Sequence, residues 1–242
     1  MSTYPKDNPA ELLRELIRLP SVNPMGRTDL ASATSASETL LEGRMTAYLS
    51  QWFTSHGFSH IVQEAAPGRS NVIAWSEGRS DLPCILLDAH QDTVPIEGMT
   101  IDPFAAELRD GRIWGRGACD IKGGMACMLT AMAQVQQHAD KPRIVASCTC
   151  DEELGQIGAR LLTECWQQEG ERSLPEGMPS RPDFAIVAEP TSLEVVVAHR
   201  GTARWRIAVD GRAAHSSQPD RGISAIYRMA KILQALEEYA SL

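Results

Sequence analysis

Residues 84–95 read CILLDAHQDTVP, and this stretch decides the fold class. Cys84–Asp88 is a largely apolar run, a pattern typical of a strand that is buried on both faces of a parallel sheet. Arg143–Thr149 (RIVASCT) and Phe184–Ala188 (FAIVA) repeat it, and Ile121–Gln137 shows a helical pattern between the first and second runs. Strands that alternate with helices predict an α/β fold, with a mainly parallel sheet flanked by helices.

The rest of the chain adds further elements and a change of pattern near residue 193. Helices are predicted at residues 9–19, Glu38–Ser55 and Gly158–Gln168, a strand at Asn71–Trp75 and a loop at 27–37. Beyond this, Val195–Ala198 and Thr202–Val209 alternate like antiparallel strands, and Ile223–Tyr239 is an amphipathic helix. We therefore expect one domain over residues 1–193 and the beginning of a second, α+β domain over residues 194–242.

The composition and charge argue against two classes of partner. The 242 residues carry a net charge of −8 and no basic tract, which disfavours a nucleic-acid partner. No stretch approaches the roughly 20 apolar residues that span a membrane. The N-terminus shows no signal-peptide core, so the sequence predicts a cytoplasmic protein. The six cysteines form no CxxC pair and are predicted to be reduced thiols.

Metal-competent side chains follow each of the three buried strands, at the edge of the sheet where ligands gather in open α/β folds. They are His90 and Asp92 after the first strand, Asp151, Glu152 and Glu153 after the second, Glu189 after the third, and Asp120, predicted to cap a helix start. Carboxylates that converge in one cleft repel one another, so a cation is the natural compensation. One histidine among several carboxylates suits Zn²⁺, Co²⁺ or Mn²⁺ better than Ca²⁺.

The spacing within two of these motifs indicates separate roles for neighbouring side chains. In an extended chain, residues i and i+2 point to the same side, so His90 can bind a metal while Asp92 holds its other ring nitrogen. In the run DEE, adjacent side chains diverge. One of Glu152 and Glu153 can then bind metal while the other accepts a proton as a general base. The alternative is a set of solvated surface acids on an inert scaffold.

Four motifs together resemble one known family. They are HQDTVP at 90–95, GRGACDIKGGMA at 115–126, TCDEELG at 149–155 and AEPTSL at 188–193. In this order they closely resemble the metallohydrolase family that includes acetylornithine deacetylase, succinyl-diaminopimelate desuccinylase, aminoacylase and glutamate carboxypeptidase. The resemblance covers nearly the whole chain. It implies a cytoplasmic enzyme that removes an acyl group from the α-nitrogen of an amino acid.

The resemblance also implies a two-metal centre. The implied roles are His90 and Glu189 as ligands of one ion, Glu153 as ligand of the other, Asp120 bridging both, Glu152 as general base and Asp92 as partner of His90. The implied ions are two Zn²⁺, with Co²⁺ or Mn²⁺ as alternatives. A later motif, GRAAHSSQPDRGISAI at 211–226, resembles the lid or dimerisation domain of the family. There His215 would stabilise the developing oxyanion, usually across a homodimer.

Within the family, the motifs EPTSL at 189–193 and HSSQP at 215–219 resemble those of the acetylornithine deacetylase branch. The resemblance therefore favours an enzyme of arginine biosynthesis. A succinyl-diaminopimelate desuccinylase or a metallo-dipeptidase or carboxypeptidase is the alternative within the same family. A binding protein built on this scaffold is the non-enzymatic alternative, and Glu152 argues against it because such a protein needs no general base. A dinucleotide-dependent enzyme is disfavoured because GRGACD lacks the GxGxxG spacing.

The sequence departs from the family pattern at its end. The family supplies one more metal-binding histidine late in the chain, after the lid, whereas this sequence ends at Leu242 within the first helix of the expected lid. We therefore expect a fragment that is weakly active or inactive, derived from an active parent protein.

Overall fold

The computed structural model of the protein describes residues 8–27, 39–167, 174–179, 181–198, 200–201 and 205–240. The chain divides into two compact units, Met1–Glu194 and Val195–Leu242. In the described part of the chain, no helix combines the length and apolar character needed to cross a membrane.

Among the described residues, the first unit contains four α-helices and seven strands. The helices are α1 (Pro9–Ile17), α2 (Gly43–Ser55), α3 (Gly123–Val135) and α4 (Ile157–Gln167). The strands are β1 (Ser59–Ala66), β2 (Arg69–Ser76), β3 (Ile85–His90), β4 (Glu107–Arg109), β5 (Arg112–Trp114), β6 (Ile144–Thr149) and β7 (Phe184–Val187). The second unit contains α5 (Ala225–Ala240). Residues 28–37 of the predicted loop 27–37 and the predicted helix start at Glu38 lie outside the described residues.

Five strands form one mixed sheet in the order β1-β2-β6-β3-β7. β3 pairs in parallel with β6 and β7, whereas β2 pairs antiparallel with both β1 and β6. The α/β class and the flanking helices are confirmed, and the sheet is mixed rather than mainly parallel. β1 was not predicted from the sequence. It is an edge strand with exposed and half-buried side chains, which leave little apolar periodicity.

Helices cover both faces of this sheet. One face packs against α1, α2 and α3, with fully buried side chains that include Leu16, Leu49, Trp52 and Leu129. The other face is smaller, and there Ile73, Trp75 and Val145 pack with Leu162 of α4. Burial of each large apolar side chain contributes roughly 1.5–3 kcal/mol to the free energy of unfolding. These two clusters therefore stabilise the sheet and the positions of its strand ends.

The parallel strands end at one edge of the sheet. His90, the last residue of β3, is in register with Thr149, the last residue of β6. The β7 pairing with β3 runs to Asp88 opposite Val187, and the Ala188 N–H donates to the Asp88 carbonyl at 2.9 Å. The segments that follow all three strands therefore emerge side by side, as the sequence predicted.

The second unit differs from its predicted strands. Val195–Ala198 and residues 205–209 have no strand conformation, and residues 202–204 lie outside the described part. Val195 and Val197 are 90% and 93% exposed, so the apolar side chains of this segment are not packed against a neighbour. A strand needs a neighbour to accept and donate its backbone hydrogen bonds, and an apolar sequence pattern alone does not supply one. The predicted helix Ile223–Tyr239 is confirmed as α5.

Candidate metal centre

His90 stands at the end of β3 with its imidazole almost fully buried. Its Nδ1 lies 2.9 Å from the backbone carbonyl oxygen of Asp92 and 3.7 Å from the Asp92 Oδ1. A carbonyl oxygen only accepts hydrogen bonds, so Nδ1 carries the proton that it donates there. This contact leaves Nε2 directed at the carboxylates beyond the sheet edge. Asp92 thus contacts the second ring nitrogen of His90, through its main chain at closer range than through its carboxylate.

Asp120 lies 3.2 Å from the Nε2 of His90, through its Oδ1. It precedes α3 by three residues and has extended dihedral angles (φ −114°, ψ 91°), so the prediction that it caps this helix is wrong. Its carboxylate is engaged by His90 instead of by the helix N–H groups. The helix start can lie close to the end of β7 because residue 124 is glycine. A Cβ there would approach that of Ala188 to 2.7 Å.

The turn after β6 brings both glutamates to the same place. Ligand atoms of His90, Asp120 and Glu153 all lie within 4.8 Å of one another, and we call these three residues the metal group. Glu153 Oε1 accepts a hydrogen bond from the Val94 N–H at 3.0 Å. Glu152 is not part of the metal group, but its Oε2 lies 3.9 Å from the His90 Nε2.

The other predicted site residues have different positions. Asp151 lies outside the metal group: it is buried and its carboxylate accepts a hydrogen bond from Arg69. Glu189 follows β7, and its carboxyl responds to the charges of His90 and Asp120, although it is not a member of the metal group among the described residues. His215 belongs to the second unit, where its Nδ1 lies 2.8 Å from the Ser217 Oγ in an exposed turn.

Burial and neighbouring charges shift the pKa values of the metal group. Burial lowers the pKa of His90, but its hydrogen bond to Asp120 and the nearby carboxylates outweigh this effect and raise that pKa to about 9. The same hydrogen bond lowers the pKa of Asp120. Burial raises the pKa of Glu153 to about 7, and the carboxylates around it add to the rise. Burial and neighbouring carboxylates also raise the pKa of Glu189.

A sequence model of peptidase family M20/M25/M40 matches residues 86–239, which include the whole metal group. The chain belongs to this family. The membership confirms the resemblance seen in the four sequence motifs.

Curated relatives within the M20 family are named acetylornithine deacetylases. The protein from Vibrio campbellii is 34% identical over 212 residues, covering 86% of this chain and 52% of the relative. The relative from Erwinia tasmaniensis is 33% identical over 228 residues, covering 93% of this chain and 54% of the relative. A solved tripeptidase structure from Staphylococcus aureus has a TM-score of 0.59 at 21% identity and covers 96% of this chain and 57% of that chain. The fold is therefore shared, and the chain spans about half the length of the curated relatives it matches.

The residues present in this M20 chain fit a divalent cation. An imidazole and two carboxylates offer their donor atoms within one small volume, which is the donor set that Zn²⁺, Co²⁺ and Mn²⁺ accept. Burial and neighbouring carboxylates raise the pKa values of Glu153 and Glu189, although the charge of His90 opposes the rise. A bound cation would offset the repulsion among these carboxylates.

A pocket of about 260 Å³ adjoins the metal group and has Asp120 in its wall. Its other walls include the apolar side chains of Val94, Ile101, Ile113 and Trp114. A pocket with apolar walls and a metal-binding carboxylate at one end can hold a small organic group beside the centre.

The stability that Glu153 and His90 contribute to the metal-free M20 chain is expected to fall as the pH rises from about 4.5 to about 9. Folding raises the pKa of Glu153 from 4.5 to about 7, so the stability associated with its protonated form is lost over that interval. It also raises the pKa of His90 from 6.5 to about 9. The stability that protonated His90 contributes is therefore complete below 6.5 and is lost through 9.

Added Zn²⁺ is expected to reverse this pH trend, because the ion binds deprotonated side chains and releases protons. A concentration of one hundred times Kd adds about 2.7 kcal/mol to the free energy of unfolding. Thermal unfolding at several pH values, with Zn²⁺ and with a chelator, measures both trends. Identical pH dependence in the two conditions would contradict the expectation.

Proposed function

We propose that the protein is a metal-dependent amidohydrolase that removes the acyl group from an N-acylated amino acid, with N-acetylornithine as the first candidate substrate. The observation that carries this proposal is the convergence of His90, Asp120 and Glu153, with Glu152 beside them and outside the metal group. The names of the curated relatives support the choice of substrate.

Two ions, Zn²⁺ in the first instance and Co²⁺ or Mn²⁺ as alternatives, would be held by four side chains. His90 and Glu189 would bind one ion and Glu153 the other, while Asp120 would lie between them. Bound cations of this kind lower the pKa of a water molecule and polarise a carbonyl group. Asp92 would keep the imidazole of His90 in the orientation that presents Nε2 to the centre.

Glu152 would act as the general base. It would take a proton from the attacking water and deliver it to the amide nitrogen as the C–N bond breaks, which yields a carboxylate and a free amine. The apolar pocket beside Asp120 would hold part of the substrate during this step. His215 of the second unit would stabilise the developing oxyanion, and the second unit would form a homodimer. These last two roles, like the cytoplasmic location, are predictions from the sequence.

The substrate can be identified by comparing three amides with the full-length gene product. N-acetylornithine, N-succinyl-diaminopimelate and a dipeptide represent the deacetylase, the desuccinylase and the peptidase alternatives. We expect the highest kcat/KM for N-acetylornithine, in a reaction that a chelator stops and Zn²⁺ or Co²⁺ restores. A higher kcat/KM for N-succinyl-diaminopimelate or for the dipeptide would contradict the proposed substrate and identify the better one in its place. Metal binding without hydrolysis of any of them would favour a binding protein.

A further inference from the structure

We propose that Arg69 is a positioning residue of the metal centre: its largely buried guanidinium fixes Asp92 and the turn at residues 151–153, and thereby sets the metal affinity. The inference rests on the proposed function only in taking the metal group as a cation site. Arg69 begins β2, far from every motif that pointed to the metal, and no sequence pattern singled it out.

The guanidinium of Arg69 joins three acidic residues that the chain brings together from distant positions. Its Nε donates to both carboxylate oxygens of Glu42 at 3.1–3.2 Å, and its Nη2 donates to the Glu42 Oε1 at 2.5 Å. Its Nη1 donates to the Asp151 Oδ1 at 2.5 Å, and its Nη2 lies 3.8 Å from the Asp92 Oδ2. A planar fork of donors matches such an arrangement, whereas a lysine ammonium does not.

These carboxylates in turn hold the backbone that carries the two site glutamates. Glu42 Oε1 accepts a hydrogen bond from the Asp151 N–H at 3.2 Å. Asp92 accepts one from the Glu152 N–H through Oδ1, at 3.0 Å, and one from the Glu153 N–H through Oδ2, at 3.2 Å. All three consecutive N–H groups of the turn therefore point at carboxylates that Arg69 contacts.

A buried amide completes the network. The Asn23 Nδ2 donates to the Asp92 Oδ2 at 2.8 Å and to the Asp151 Oδ1 at 3.0 Å. Asp151 itself has a left-handed backbone conformation with φ 61°, which a residue other than glycine adopts only at a cost. Its contacts with Arg69, Asn23 and Glu42 hold it there, and the following residues, Glu152 and Glu153, take their direction from it.

The charge balance makes Arg69 necessary. Glu42 and Asp92 have no exposed surface, and Asp151 is nearly as buried, so the three carboxylates face each other across the guanidinium instead of water. Burial raises the pKa of Glu42, and the hydrogen bond from Arg69 opposes that rise. Without the guanidinium, the carboxylates would repel one another or take up protons, and Asp92 would lose the geometry that orients His90.

The residues that Arg69 contacts lie outside the metal group, so its influence on a bound ion must pass through Asp92 and the turn. Loss of such an outer partner typically lowers metal affinity about 10–100-fold. The expected signature is therefore weaker binding together with a changed coordination geometry.

The test is a titration of Co²⁺ into the metal-free full-length gene product, with affinity and visible absorption as readouts. Arg69→Met is expected to weaken Co²⁺ binding about 10–100-fold and to change the absorption spectrum. Arg69→Lys keeps the positive charge but loses the planar arrangement of donors. Its Co²⁺ affinity is expected to lie between those of Arg69→Met and the wild type. Arg79→Met is the matched control, because Arg79 also pairs with two carboxylates, those of Asp81 and Asp140, at an exposed site.

The double variant Arg69→Met/Glu42→Gln keeps the test decisive if the single variant does not fold, since it removes the guanidinium together with its closest buried carboxylate. We expect the double variant to fold and still to show weakened Co²⁺ binding with an altered spectrum. Wild-type affinity and spectrum in the double variant would overturn the inference and leave Arg69 with a role in folding alone. Neither readout needs a substrate, so failure of the proposed amidohydrolase activity would be seen separately.

Discussion

Replacing Glu152 with glutamine is expected to lower kcat of the full-length gene product about 10²–10⁴-fold, the contribution typical of a general base. Glutamine keeps the shape of the side chain but accepts no proton from water. The Glu152 N–H is anchored to the Asp92 Oδ1 at 3.0 Å, while its own carboxylate stays partly exposed, 3.9 Å from the His90 Nε2. The residue is thus fixed at its backbone and accessible at its reactive end.

The same variant is expected to keep its metal content, because the metal group contains Glu153 and not Glu152. Turnover of N-acetylornithine and metal analysis of the purified protein measure the two effects together. Glu64→Gln is the matched control, since Glu64 lies at an exposed position of β1 and loses the same charge. An unchanged kcat in the Glu152 variant would refute its role as base, and a loss of metal would assign it to the metal group.

Replacing Asp120 with asparagine is expected to weaken binding of both ions by more than the roughly 10–100-fold that loss of an outer partner costs. Asp120 Oδ1 lies 3.2 Å from the His90 Nε2, in the middle of the metal group, and we propose that both its oxygens bind metal. An amide offers one neutral oxygen in their place. Calorimetric titration with Zn²⁺ and metal analysis after dialysis measure this effect.

The Asp120 variant also changes the metal-free protein in a measurable way. The hydrogen bond to Asp120 helps to raise the pKa of His90 to about 9, so asparagine at this position is expected to lower that pKa. A pH titration of the His90 ring by NMR measures the change. Asp110→Asn, in the exposed turn between β4 and β5, provides the control, because asparagine tolerates its positive φ of 53°. Retention of two tightly bound ions by the Asp120 variant would contradict its bridging role.

Much of the fold was predictable where burial alone determines the pattern of residues. β3 and β6 are largely apolar runs, half-buried in β3 and fully buried in β6, and both were predicted to within one or two residues. β1, an edge strand with mixed burial, and the short β4–β5 hairpin left no such signal. The apolar pattern of Val195–Ala198 was misleading because it reports side-chain polarity and carries no information on strand pairing.

The residues of the candidate site also fall into two groups, those that the sequence could place and those that it could not. His90, Glu152 and Glu153 could be placed from the sequence because each lies at or just beyond the end of a predicted strand, and parallel strands end at a shared edge. The helix-capping role predicted for Asp120 was wrong because local sequence cannot show that His90, 30 residues away, engages its carboxylate. Asp151 looked like a possible ligand, yet its contact with Arg69, 82 residues away, turns it from the metal group.

The sequence by itself determined the strand ends, the types of metal-binding side chain and the family. These features depend on hydrophobic runs and on residues adjacent in the chain, which local patterns record. Only the tertiary structure decided which acids join the metal group and which are held by Arg69. That choice depends on hydrogen bonds between residues 27–128 positions apart, buried where unpaired charges are costly. Such contacts arise only when the chain has folded.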